Sequence, residues 1–297
     1  MSNNSPNTYI RKRKIVDGLI YVALALFAFI SVFPLFWLIS SSLRSGVEIF
    51  SPVLWPKNPT FEAYAYTLRY FPFVNWFLNS TVISLSATTI SVCISSLAGY
   101  SFSRFSSKGK KFLSRGILLA YMFPGVLFIL PMFVLFAKVG LLDSRIGLII
   151  AYSVTGVPFA MWLLTAYFET IPHEIDEAAR IDGASNFRIF WNIILPIARP
   201  GLSTAAIFAF INTWNEFLLA LILISSDSNK TLPVGLYAQM GGKAGEAILY
   251  NVRMASSVMM ILPMLIMMVS LAPWNFKFTV LLQIALDAIN YAVLVTT

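Results

Sequence analysis

Glu177-Ala178-Ala179-Arg180-Ile181-Asp182-Gly183, continuing into Leu195-Pro196, lies inside a stretch, residues 169–200, where charge is dense and the hydrophobic pattern is helical rather than continuous. Pro172 suits the first turn of a helix, where its missing N–H is no loss, and Glu174, Asp176 and Glu177 fall where the helix dipole favours negative charge. A short helix is therefore expected from about Pro172 to Asp182. Ile175, Ala178 and Ala179 give it a narrow face of mostly small residues at i, i+3, i+4. Gly183 can take the left-handed conformation that ends a helix. Ser185 is a good N-cap for a second helix, whose Phe187, Phe190, Trp191 and Ile194 follow i, i+3, i+4, i+7 and form one broad aromatic face. That helix should end near Pro196, with Arg199, Pro200 and Gly201 closing the segment.

The surroundings of this stretch are of a different kind. The chain has 297 residues, 58% hydrophobic and 11% charged. A soluble domain carries about 25% charged residues, so the composition excludes an ordinary soluble globule. Spans need about 20 mainly apolar residues, and six stretches qualify: roughly 18–40, 75–100, 113–137, 146–168, 201–224 and 255–272. They make one bundle, with residues 1–17 as a tail and no separate soluble domain.

The net charge of +8 does not indicate nucleic acid, because the basic residues sit where membrane topology wants them. Arg11 to Lys14 and the cluster Arg104, Lys108, Lys110, Lys111 and Arg115 flank spans on one side. They put the N-terminus and residues 169–200 in the cytoplasm. The apolar run after Lys14 is too long for a signal h-region and lacks a small-residue cleavage site, so it reads as an uncleaved first span. Cys93 is the single cysteine, forms no intrachain disulfide and reads as a small packing residue.

The spacing met by Glu177, Ala178, Ala179, Gly183, Ile193, Leu195 and Pro196 resembles the EAA loop of bacterial ABC-importer permeases. Ala98-Gly99-Tyr100-Ser101-Phe102-Ser103-Arg104 is similar to the family's ending of the second span. Trp214-Asn215-Glu216-Phe217 and Thr231-Leu232-Pro233-Val234-Gly235-Leu236 resemble the carbohydrate-uptake members, in particular the second membrane subunit of maltose and glycerol-phosphate importers. The resemblance implies an all-α membrane protein, a six-helix permease bundle with a cytoplasmic EAA loop over 169–200. It implies that residues 172–182 dock on a separate ATPase, with Glu174, Glu177, Ala178, Ala179, Asp182, Gly183, Leu195 and Pro196 as the coupling residues. The implied partners are a second permease, two ATPase subunits that hold ATP and Mg, an extracytoplasmic solute-binding protein and the bilayer. The implied place is the bacterial cytoplasmic membrane, and the cargo a sugar or sugar-like solute. Beyond about residue 265 the resemblance fails, and residues 273–297 form an atypical apolar segment with Gln283, Asp287 and Asn290 as a polar stripe.

Other features have two readings each. Asn212, Asn215 and Glu216, with Trp214 between them, share a helix face in the fifth stretch. A glutamate at this depth is expensive, and it serves either the solute path or assembly with a neighbouring span. The hydroxyls from Ser80 to Ser96 in the second stretch favour close helix packing, with a pathway lining as the alternative. Pro124, Pro131, Pro158 and Pro263 are expected to kink their helices. The aromatic, proline-rich residues 41–73 are an outer segment, either a docking surface for a solute-binding protein or an interfacial connector, and residues 225–254 form the last outer loop.

Catalytic chemistry is not expected. Neither Gly109-Lys110 nor Gly242-Lys243 completes a phosphate-cradling loop, and His173, the only histidine, sits among carboxylates as a solvated residue rather than a metal ligand. No nucleophile triad or metal cluster is evident. An ion-coupled carrier acting alone is the alternative; it would need inverted repeats and several buried ionisable groups besides Glu216.

Overall fold

The computed structural model describes residues 6–45, 48, 53–105, 109, 112, 116–117, 119, 122, 124–240 and 246–271. They fall into two compact units: the first comprises residues up to Thr67 and those from 246 to Ile261, the second Leu68 to 240 and Leu262 to Leu271. The segment 273–297 lies outside the described residues.

In the first unit, helix α1 (Pro6–Ser42) is followed by α2 (Glu62–Tyr70), whose last turn passes into the second unit, as does the end of α11 (Glu246–Leu271). Residues 6–17, expected as part of the N-terminal tail, are the start of α1; Pro6 opens the first turn, where proline is tolerated. Leu38, Met254 and Ile261 are its apolar core. Around them Ser40, Ser41 and Ser42 are fully buried. Arg44, expected on an outer surface, is 3% exposed and stacks over the Trp37 ring at 4.6 Å. Its guanidinium donates to the Val53 carbonyl, and its own carbonyl accepts from the Asn251 amide. These partners explain why part of the expected loop 225–254 is helix: α11 starts at Glu246 and carries the buried Asn251, Val252 and Met254 inward.

The second unit is built on α3 (Phe73–Arg104) and α5 (Arg145–Glu169), with the short α4 (Val126–Lys138) between them in sequence. Small polar residues let α3 and α5 approach closely. The hydroxyls of Ser91 and Ser95, one turn apart, donate to the carbonyls of Ser153 and Val157, also one turn apart, at 3.0 and 3.1 Å. Matching steps in both helices mean that they run the same way, so their C-terminal ends meet. The hydroxyls at these two positions therefore serve packing.

From α5 the chain enters α6 (Glu174–Ile181), α7 (Asn186–Ile197), α8 (Arg199–Asn215), the short α9 (Leu218–Leu223) and α10 (Leu232–Met240). Glycine enables one crossing here: a Cβ on Gly201 of α8 would stand 2.4 Å from the Tyr167 ring of α5. At the far end of α5, Asp143 (φ 52°) accepts from the Ser225 and Ser226 backbone N–H groups and from the Ser226 hydroxyl, tying loop 139–144 to loop 224–231. The Asn79 amide of α3 donates to the carbonyls of Ser228 and Lys230, and the Ser80 hydroxyl accepts from Leu232 N–H at 2.7 Å.

Among the described residues, four helices are long and apolar enough to cross a membrane: Leu24–Ser42, Phe73–Arg104, Arg145–Glu169 and Tyr250–Leu271. The pair α7 and α8, bent by 78°, raises this to five at most. Large apolar side chains such as Leu130 (72% exposed) and Val269 (71%) remain uncovered, as lipid-facing residues would. Of the expected third span, 113–137, only part lies within the described residues, with Val126–Lys138 as a 13-residue apolar helix.

Candidate functional site

The segment 170–200 sits at the end where α3 and α5 finish, and its shape follows from local capping. Helix α6 starts at Glu174, two residues later than the sequence suggests, with Glu174, Asp176 and Glu177 in its first turn. At its end Gly183 takes φ +82°; Gly183 N–H donates to Arg180 O at 3.0 Å and Ala184 N–H to Ala179 O at 2.9 Å. This is a Schellman closure, and only the φ requires glycine, since a Cβ would meet nothing within 4 Å. Ser185 then caps α7 by accepting from Arg188 N–H.

Helix α6 has two faces. Ala179 (7% exposed) and Asp176 (2%) point inward with the half-buried Ile175, while Glu174, Glu177, Ala178, Arg180, Ile181 and Asp182 are exposed, Ile181 to 87%. Ala178 thus leaves the small-residue face expected for it, because Asp176 rather than Ala178 has a partner inside. That partner is the last turn of α3. The Tyr100 hydroxyl donates to Asp176 Oδ1 at 2.6 Å, and Arg104 Nε lies 2.9 Å from Asp176 Oδ2. Sequence reasoning left Asp176 out of the site, and its i+3 relation to Ala179, the buried position, was the available signal.

In α7 the expected aromatic face is divided. Residues Phe190–Ile194 form a π-turn, closed by Leu195 N–H on Phe190 O, ahead of Pro196, which cannot donate. Phe190 and Ile194 are buried in one cluster with Tyr100, Leu164, Phe168, Ala179 and Ile189. Phe187 (70% exposed) and Trp191 (59%) stack on each other instead, 6.2 Å apart, and line an apolar groove of about 500 Å³. Cys93, expected as a packing residue, is exposed and lines the same groove. Leu195 is half-buried and Pro196 exposed.

The polar anomaly of the fifth stretch resolves differently. Helix α8 stops at Asn215, and Glu216 is extended (φ −67°, ψ 125°), so Asn212, Asn215 and Glu216 do not share a helical face. Asn212 is exposed, Asn215 and Glu216 half-buried, and Trp214 buried against Phe210 and Phe77. The break frees the first N–H groups of α9, which lipid cannot satisfy. Glu216 takes them: Oε1 accepts from Leu219 N–H at 2.8 Å and Oε2 from Ala220 N–H at 3.2 Å. Tyr152 of α5 donates its hydroxyl to Oε2 at 2.7 Å. The carboxylate caps α9 and ties it to a neighbouring helix.

Its similarity to known proteins places the chain among the ABC transporter permeases. It belongs to the family described as binding-protein-dependent transport system inner membrane component, which matches residues 91–276. The chain is 36% identical over 251 residues to an inner membrane ABC transporter permease protein, YcjP, of Escherichia coli, covering 83% of this chain and 89% of the other. It is 34% identical over 247 residues to a diacetylchitobiose uptake system permease protein of Streptomyces coelicolor, covering 83% and 82%. Among solved structures it is similar to a chain of a bacterial ABC transporter involved in the import of the acidic polysaccharide alginate, with TM-score 0.77, 25% identity and coverage of 90% and 98%. The protein is accordingly a non-enzymatic, multi-pass membrane component of a transport system, and membership implies an ATPase and a solute-binding protein as partners.

Proposed function

We propose that this chain is a permease subunit of an importer that brings a sugar or sugar-like solute into the cytoplasm, and that α6 is the helix a separate ATPase engages. The carrying observation is the division of α6. Its exposed face presents Glu174, Glu177, Ala178, Ile181 and Asp182 together, while its other face is held by Ala179 and Asp176 on α3, α5 and α7. A helix free on one side and buried on the other transmits a push, since a packed interface moves as a body. Relatives that are permease proteins of diacetylchitobiose uptake, galactooligosaccharide transport and maltodextrin transport systems support a carbohydrate cargo.

In this reading the bundle has six spans, the N-terminus and residues 169–200 are cytoplasmic, and loops 139–144 and 224–231 face outward. A second permease completes the path, two ATPase subunits bind ATP and Mg and drive the α6 helices together, and a binding protein delivers solute outside. Reconstitution tests this. The chain with its partner permease, ATPase and binding protein should show solute-dependent ATP hydrolysis and uptake, and uptake that persists without the ATPase would overturn the reading.

A further inference from the structure

Asp176 is the one acidic side chain of α6 turned inward, and its pairing with Arg104 is unusually exclusive of water. Their side chains are 3% and 1% exposed. Burying an ion pair costs more than the charge contact returns unless the remaining hydrogen-bond positions are filled. Here they are filled only on one side. Oδ1 accepts from Tyr100, but the 2.9 Å contact of Nε with Oδ2 is not aligned as a hydrogen bond, and both Nη atoms of Arg104 are buried with no hydrogen-bond partner among the described residues. Guanidinium and carboxylate pair best through two parallel N–H···O bonds. Among the described residues, Arg104 meets Asp176 with its Nε edge and leaves both Nη atoms without an acceptor.

We propose that Arg104 and Asp176 are positioning residues that form a two-state latch. One state is the edge-on contact; the other is a bidentate pair reached when the ATPase displaces α6, so that the re-pairing pulls the end of α3. This rests on the reading that α6 is the ATPase-docking helix. Three observations favour a transmission role over simple anchoring. The apolar cluster around Ala179 and Phe190 already anchors the segment. The Tyr100 ring, 5.1 Å from Phe190 and 6.0 Å from Phe168, fixes Oδ1 as a pivot about which the other oxygen can swing. Arg104 ends a helix of 32 residues, a rod of about 48 Å, and the Ser91 and Ser95 hydroxyls couple that rod to α5.

The test uses the full complex in lipid vesicles with its binding protein. Three quantities are measured: capture of the ATPase by the tagged permease, solute-stimulated ATP hydrolysis with kcat and KM separated, and uptake. Asp176→Asn keeps an acceptor for Tyr100 but removes the charge; Arg104→Lys keeps the charge but removes the fork. Both should leave ATPase capture and KM for loaded binding protein unchanged while kcat of the stimulated reaction falls about tenfold, the effect of about 1.4 kcal/mol. The exchange of Arg104→Asp with Asp176→Arg should recover part of the loss. Tyr100→Phe removes a single oxygen and serves if the charge variants fail to insert; an about threefold fall in kcat is expected from one lost hydrogen bond. Unchanged kcat in these variants, or a loss that merely follows lost ATPase capture, overturns the latch. Absence of solute-stimulated hydrolysis in the wild-type complex overturns the docking reading itself, and the latch with it.

Discussion

Glu216 shows how far a single residue can be read. Its cost in an apolar stretch was legible, because a carboxylate at that depth needs partners. Its role was not, since no proline or glycine marks the break after Asn215. With its oxygens occupied by Leu219 N–H, Ala220 N–H and Tyr152, Glu216→Gln removes the charge and one acceptor. The expected loss is about 1–3 kcal/mol, read as a lower thermal midpoint in detergent, whereas Asn212→Ala at an exposed position should barely move it. Gly183 is the opposite case, where the sequence sufficed. Gly183→Ala meets no obstacle in space but must hold φ +82°, at about 1–2 kcal/mol. Gly183→Asn, better suited to that conformation, should retain more uptake than Gly183→Ala; equal uptake would remove the strain argument.

Helices α6 and α7 were legible as elements because caps are local: Gly183, Ser185 and Pro196 mark their ends within one turn. Which side chains they bury was less legible, because positions at one helical spacing divide: Phe190 and Ile194 are buried, whereas Phe187 and Trp191 are exposed, and that spacing does not reveal the π-turn at Phe190–Ile194. Phe190→Ala is therefore expected to lower stability by about 3–5 kcal/mol, and Trp191→Ala much less, in the same unfolding measurement. The loop pair at the other end of α5 carries a pH dependence. Ser226 N–H, the Ser226 hydroxyl and Ser225 N–H favour the ionised form of Asp143 and hold its carboxyl below the ordinary range, outweighing the opposing effect of burial. A depressed carboxyl contributes stability above its unfolded value of about 3.9, and the contribution is lost as pH falls below that toward the folded value. Asp143→Asn should thus be less stable than wild type at pH 6, with the gap narrowing below about pH 4 in thermal melts.

At the scale of the whole molecule, composition alone determined that this is a helical membrane protein, because lipid offers backbone groups no partners and only closed hydrogen-bonding spans survive there. The spacing from Glu177 to Pro196 determined the kind of permease it resembles, and the local caps around it. Tertiary structure decided where the polar groups inside those helices go. Asp176 turns in to Tyr100, 76 positions away, and Glu216 to Tyr152, 64 positions away. No periodicity within one helix relates residues so distant; only the parallel packing of α3 and α5 and the break in the fifth stretch bring them within reach.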